Sequence, residues 1–295
     1  MKITYWFFIF FFLSLIACER PIPFPEPNTP SVLVANALFT KDSIWRVQLS
    51  QSVAIDSIIS FNFIPNGHIE IKNLNNDLSI LLKHQENGIY TSDTSLPTSA
   101  VPYELTAQAD GFQSIQAISV VPKDFIINVK NFQRSEYLKQ PNYLFDLEIK
   151  DDPLTANFYL IQVQYALKKE EELFYEKARH FSFDINSDNE MVVLDHSALK
   201  QSYLSDANFN GQSYTSQIGA ASSLLSTVDL ADELTAFISV YSISKAGYRY
   251  EKSVERFENV DNEIFAEPLG AFSNINNGLG IFAGYLEQRL EVRLQ

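Results

Sequence analysis

Short runs in which apolar and polar residues alternate, cut by turn signals every few residues, constrain this chain more than any other feature. Val32-Leu33-Val34-Ala35, Trp45-Arg46-Val47-Gln48-Leu49, His68-Ile69-Glu70-Ile71 and Tyr103-Glu104-Leu105-Thr106-Ala107 alternate or nearly so. A period of two sends one apolar face to a core and one polar face to water, the pattern of a half-buried strand. Between these runs lie Pro65-Asn66-Gly67, Asn87-Gly88 and Asp110-Gly111, which supply the positive φ that tight hairpins need. About seven short strands in about 90 residues is the spacing of an immunoglobulin-like β-sandwich.

Beyond Val120-Val121-Pro122-Lys123 a second unit begins, with strand patterns at 143–149, 158–165, 181–185, 191–194, 237–243 and 248–254. Between 197 and 235 the texture turns Ser/Ala/Leu-rich and suits short helical turns. The stretch 168–177 (KKEEELFYEK) has good helix propensity, but strands on both sides favour a charged hairpin. The expectation is an all-β chain. Residues 31–123 form an N-terminal immunoglobulin-like β-sandwich, and 124–295 a second, mainly antiparallel β domain with short helical insertions.

The first 30 residues follow other rules. A positive start at Met1-Lys2 leads into a 13-residue apolar run at 5–17. A helix across hydrocarbon needs about 20 residues, so this run reads as the core of a secretory signal. It ends in Leu15-Ile16-Ala17-Cys18, a bacterial lipobox in which the Cys18 thiol receives diacylglycerol after a small residue. Cys18 is the chain's one cysteine, which excludes an intrachain disulfide, a cysteine-based zinc cluster and an iron–sulfur site. Residues 1–17 are thus expected to be removed, and Cys18 to carry a covalent lipid, palmitate included. More than one acyl chain holds a protein stably at a membrane. Residues 18–30 follow as a tether: Pro21, Pro23, Pro25, Pro27 and Pro30 favour polyproline II, with a reach of roughly 37 Å.

Charge narrows the partners. The chain carries 22 basic and 36 acidic residues, a net −14, which becomes −15 once the leader takes Lys2 with it. Such a body does not bind nucleic acid or anionic lipid by electrostatics. A membrane would hold it through lipid rather than charge.

Residues 267–285 (EPLGAFSNINNGLGIFAGY) carry a more specific signal, with Asn274, Ile275, Gly278, Gly280, Phe282 and Gly284 as its core. This block resembles the closing signature of a Bacteroidota outer-membrane lipoprotein family catalogued as domain of unknown function 4249. Leu33-Val34, Gly88-Ile89-Tyr90, Tyr103-Glu104-Leu105 before Asp110-Gly111-Phe112, 206–211 (DANFNG), and Ser242-Ile243-Ser244 before Tyr248-Arg249-Tyr250 agree with it. The resemblance runs from about 31 to 286. It implies an immunoglobulin-like N-terminal region, an address at the outer membrane on the periplasmic face or the cell surface, and a TonB-dependent transporter as partner. It implies no catalytic residue and no ligand. Read physically, three of ten glycines within seven residues mark tight turns or close backbone packing, with a glycine-lined ligand contact as the alternative.

Chemical motifs are sparse. Asp184, Asn186 and Asp188, with Asp195 at position 12, have the spacing of a calcium loop, and 206–217 repeats it with Gly211 at position 6. Neither supplies the carboxylates that calcium's six or more oxygen ligands require, and Asx-rich turns explain both without metal. The four histidines (68, 84, 180, 196) have no metal spacing and read as surface or strand residues. Asp195-His196-Ser197 are adjacent, which a catalytic triad cannot be. No nucleophile elbow, P-loop or dinucleotide fingerprint occurs. Glu170-Glu171-Glu172 and the acids at 255, 258, 261, 263 and 267 read as solvated faces, and Trp45 as core. With no catalytic residue and no cofactor in view, the expectation is a non-enzymatic accessory or ligand-capture partner of a TonB-dependent transporter. The alternatives are a stand-alone cell-surface glycan- or protein-binding module and, behind it, a hydrolase whose carboxylates one sequence does not reveal.

Overall fold

The structure is a computed structural model that describes residues 30–53, 62–137, 139–150, 152–169, 172–183, 201–229, 232–260 and 270–294. Alternation in the sequence becomes alternation of burial. In β1 (Leu33–Phe39), Leu33, Ala35, Ala37 and Phe39 are buried while the residues between them face outward. The same holds for β2 (Arg46–Gln51), β3 (His68–Asn73), β7 (Pro102–Gln108) and β8 (Ile115–Val120). Short strands β4 (Ser79–Leu81), β5 (Lys83–His84) and β6 (Ile89–Thr91) complete this half. The expected turns form where glycine permits them, with φ of 52° at Asn87 and 66° at Gly88 between β5 and β6.

The chain is all-β, as expected. One sheet runs in the order β4-β3-β7-β8. Its buried face meets β1 and β2 over Val47, Leu49, Ile69, Ile71, Leu105 and Ala107, each worth about 1.5–3 kcal/mol if a large aliphatic. At the centre Trp45 lies 4.8 Å from both Phe39 and Tyr103, ring centre to ring centre, so Trp45 is core. The Tyr90 hydroxyl donates to Ile64 O and accepts from Gly67 N, both at 2.7 Å, and so holds the 64–67 turn.

The second half contributes β9 (Ile126–Tyr137), β10 (Gln140–Lys150), β11 (Phe158–Lys169), β12 (Glu172–Lys177), β13 (Arg179–Phe183), β14 (Ser202–Ser205), β15 (Ser213–Ala221), β16 (Glu233–Ile243) and β17 (Leu279–Arg293). A sheet in the order β13-β15-β10-β9 packs through Tyr143, Phe145, Leu147 and Ile149 onto β11 and β16, whose Val163, Tyr165, Ile238 and Val240 are fully buried. The Tyr165 hydroxyl crosses the layer to donate to Ala220 O at 2.9 Å, and burial raises its pKa. β11 and β12 pair antiparallel from Gln164–Lys177 to Lys169–Glu172, the hairpin favoured for 168–177. Short 3-10 turns at Asp206–Asn208 and Ser223–Ser226 occupy the Ser/Ala/Leu-rich region.

Two local expectations are corrected. The segment 248–254 is not a strand but lies inside helix α1 (Lys245–Val260). Ser244 caps the helix: its Oγ accepts from Gly247 N at 3.3 Å, and its carbonyl accepts from Tyr248 N at 2.9 Å. Lys252 and Glu255 then pair at i,i+3, a contact a strand cannot make. Glu255, read as part of a solvated face, is 4% exposed beneath that pair.

The expected seam at 123/124 falls between β8 and β9, yet a single sheet runs through both halves in the order β12-β11-β16-β17-β1-β2-β6-β5, with β14 beside β11. β17 makes this continuity. Its first part pairs parallel with β1, Leu279 with Val34 through Gly284 with Phe39. Its second part pairs antiparallel with β16, from Tyr285–Ile243 to Arg293–Thr235.

Candidate functional site

The family block forms this joint. Asn274 grips the backbone of Phe282 from both sides: Phe282 N donates to Asn274 Oδ1 and Asn274 Nδ2 donates to Phe282 O, each at 2.9 Å. That pair of side-chain-to-backbone hydrogen bonds folds 274–282 back on itself. Ile275 and Phe282 are buried, and the Phe282 ring stacks 4.6 Å from Phe39. Gly280 has φ +111°, and a Cβ there would sit 2.1 Å from Ala35 O. A Cβ on Gly284 would sit 2.2 Å from Val120 O, and one on Gly278 2.6 Å from Leu33 O. Close backbone packing is therefore what these glycines do.

Where β17 passes from β1 to β16, α1 comes down on the outer face of the sheet. Gly247 permits the approach, because a Cβ there would lie 3.3 Å from Ala283 Cβ. One turn further along, Glu251 stands over a cleft of about 320 Å³ lined by β1, β11, β16, β17 and α1. Leu160, Ile243, Ala283 and Gly284 make its apolar floor, and the exposed Leu38 stands at its rim.

Polar groups converge on that floor. Tyr241 and Tyr285 are cross-strand neighbours with ring centres 6.3 Å apart. Burial, and then the Glu287 carboxylate, raises the pKa of both phenols, so both stay protonated donors at neutral pH. Glu287 Oε1 accepts from Ser239 Oγ at 2.8 Å. On the opposite wall Gln162 Nε2 donates to Gln201 Oε1 at 2.7 Å, and Gln201 Nε2 donates to the Tyr203 hydroxyl and, at 3.4 Å, to Glu251 Oε2. Burial likewise raises the pKa of Tyr203. The cleft thus offers two aromatic rings, two carboxylates and an amide over an apolar base, enough to hold a small ligand.

None of the cleft's polar residues was singled out in the sequence. Tyr241 lies in the strand pattern at 237–243 and Tyr285 closes the 267–285 block without belonging to its core, and the cleft residues meet only through the β11–β16, β16–β17 and β1–β17 pairings and the packing of α1. One signal was present: apart from Gln288, 286–294 (LEQRLEVRL) alternates, which marks β17 as a strand with Glu287 on its outer face.

The sequence-predicted residues fall as follows. Cys18 and the calcium candidates Asp184, Asn186, Asp188 and Asp195 lie outside the described residues, as do His196 and the strand read at 191–194. In the second calcium-like loop Asp206 is buried, and its Oδ2 accepts from Asn157 N at 2.7 Å, a turn-closing role. His68 and His84 are exposed on strands, with His84 5.1 Å from the Tyr90 ring. Among the described residues no three His, Cys, Asp or Glu side chains are grouped to hold a metal, and no helix is long and apolar enough to cross a membrane.

A protein-family description, domain of unknown function (DUF4249), matches residues 19–291. No curated protein matches the chain. Among solved structures, a Bacteroides uniformis protein provisionally assigned to carbohydrate binding aligns over 90% of this chain and 100% of its own, at 11% identity and a TM-score of 0.20. The Enterococcus faecalis MSCRAMM ACE, which binds its ligands by the collagen hug model, aligns over 90% and 94%, at 8% identity and a TM-score of 0.19. Neither similarity bears on what this chain binds.

Proposed function

Since this chain belongs to the family described as domain of unknown function (DUF4249), we propose that it is a lipid-anchored, non-enzymatic binding protein that captures a ligand for a TonB-dependent transporter. The observation that carries the capture role is the cleft beneath α1, where apolar floor, paired tyrosines and carboxylates converge on about 320 Å³. The lipobox and the proline spacer in the sequence support the anchor: a lipid on Cys18 holds the chain at the outer membrane, with 18–30 as its tether.

Two measurements test this reading. The wild-type chain is expected to partition into detergent, and Cys18→Ala to shift it wholly to the aqueous phase. A Cys18→Ala chain that stays in detergent would remove the anchor. Pull-down from native membranes with the anchor intact is expected to recover an outer-membrane transporter. Recovery of the chain without any receptor would favour the stand-alone surface-binding module instead.

A further inference from the structure

β12 ends the nine-stranded sheet, and among the described residues no strand pairs with its outer edge. Leu173, Phe174 and Tyr175 follow one another on it, 51%, 40% and 56% exposed, although successive side chains point to opposite faces. Both faces of this strand are therefore in water. It is held in place all the same: Glu176 Oε2 accepts from Ser222 Oγ at 2.9 Å, Ser223 Oγ at 2.6 Å and Leu224 N at 3.2 Å. On β11, Lys169 pairs with Asp232 at 3.3 Å and Lys168 with Glu233 at 3.8 Å. Two other edges of the fold are blunted. β5, at the far end of the same sheet, has two residues, and its Lys83 is ion-paired with Asp93. The register of β9 with β10 shifts near Asn131, whose φ is 56°. Such devices keep a sheet edge from recruiting another strand, whereas β12 has no proline, bulge or charge between Glu172 and Glu176.

The backbone fixes how a further strand would sit. Opposed residues of an antiparallel pair alternate between exchanging hydrogen bonds and not. Ala178 N donates to Val163 O at 2.8 Å, and the pairing continues from Lys177–Gln164 to Glu172–Lys169. Glu176, Phe174 and Glu172 thus bond β11, while Leu173, Tyr175 and Lys177 turn their N–H and C=O groups to the open edge. We propose that this edge is a self-association site, where β12 of a second copy pairs antiparallel about a twofold axis through Tyr175. Charge selects the second copy and the register. Glu172 and Lys177 stand exposed at opposite ends of β12, so an antiparallel copy brings each end to the opposite charge, whereas a parallel one would match like ends. Outward-turned residues must face outward-turned residues, so the axis passes through one residue. An axis through Phe174 would oppose Glu172 and the partner's Glu176 twice, a like-charge clash. An axis through Tyr175 pairs the two tyrosines and sets Leu173 opposite the partner's Lys177, Phe174 opposite the partner's Glu176, and Glu172 one position from the partner's Lys177. No like charges are opposed, the self-complementarity that an isologous contact requires. One strand per copy is a small contact, so the dimer is reversible, with a Kd of roughly 1–100 µM.

Sedimentation equilibrium of the full chain in density-matched detergent reads the association directly. A reversible monomer–dimer equilibrium is expected, weakened at least about tenfold by Tyr175→Pro. Proline suits this test because the Tyr175 N–H faces outward: the β11–β12 ladder loses no bond, and the melting temperature should barely move. Tyr175→Lys, which opposes two lysines across the axis, should weaken the dimer as much without touching the backbone. The register is read by oxidation. In a Cys18→Ala background an introduced thiol is the chain's one cysteine. Tyr175→Cys should form a disulfide-linked dimer, since opposed Cβ atoms lie about 5 Å apart. Leu173→Cys should not, because its equivalent in the second copy lies about 13 Å away along the strand. A chain that stays monomeric well above the expected Kd, or a dimer undiminished by both Tyr175→Pro and Tyr175→Lys, overturns the proposal. Crosslinking through Leu173→Cys and not Tyr175→Cys overturns the axis. If the chain is monomeric and Tyr175→Pro instead abolishes recovery of the transporter, the edge takes a strand of another protein and the second copy is the wrong occupant.

Discussion

Gly280→Ala is expected to cost at least about 4 kcal/mol, a large share of the 5–15 kcal/mol that holds a typical domain folded. Two separate penalties meet at this residue. Its φ of +111° lies where a side chain is strained by about 1–3 kcal/mol. A Cβ would also enter within 2.1 Å of Ala35 O and 2.8 Å of Ala35 C, backbone atoms of a strand paired on both sides. Nothing flexible is there to yield, so β17 must leave β1. Two other glycines divide the effect. Gly111 has φ +82° with open space around it, so Gly111→Ala carries strain alone and should cost about 1–2 kcal/mol. Gly270 has neither constraint, and Gly270→Ala should be neutral. Urea unfolding followed by fluorescence of Trp45 measures all three. A Gly280→Ala midpoint equal to that of Gly111→Ala would show that the joint tolerates the extra carbon.

The fragment 31–123 is expected not to fold alone. Its core has a gap that only the C-terminal strand fills. Phe282, fully buried, stacks 4.6 Å from Phe39 and 6.3 Å from Trp45, and loss of such a ring costs about 3–5 kcal/mol. β1 would also lose its parallel partner over the six pairs from Val34 to Phe39, leaving an open edge at the centre of what was a continuous sheet. Circular dichroism should show no cooperative transition for the fragment, and Trp45 emission should be that of an exposed indole. Fusing 272–294 to it through a flexible linker should restore both signals. A sharp transition in the unfused fragment would show that the half is self-sufficient.

Much of the architecture was legible because its causes are local. Alternation at 45–49, 68–71 and 103–107 marks strands, since side chains on a strand point to opposite faces in turn. Asn87-Gly88 marks a turn because only such residues adopt positive φ easily. Misreadings arose where two local patterns competed. Tyr248-Arg249-Tyr250 alternates like a strand, but Ser244 caps a helix whose i,i+3 contacts settle the matter. The glycine block announced close backbone packing; what it packs against could not be read, because Ala35 and Val120 lie far away in the chain.

The sequence alone therefore determined the strand-forming texture, the turns and the kind of contact the glycines make. Each depends on residues within a few positions of one another. Tertiary structure decided that the last strand lies parallel to the first, and with it the cleft. Tyr241, Tyr285, Glu251 and Glu287 share a pocket only because β17 changes partner from β1 to β16 beneath α1. A pairing between residues 34 and 279 leaves no periodic trace, since its energy comes from hydrogen bonds and packing formed only when the chain closes on itself.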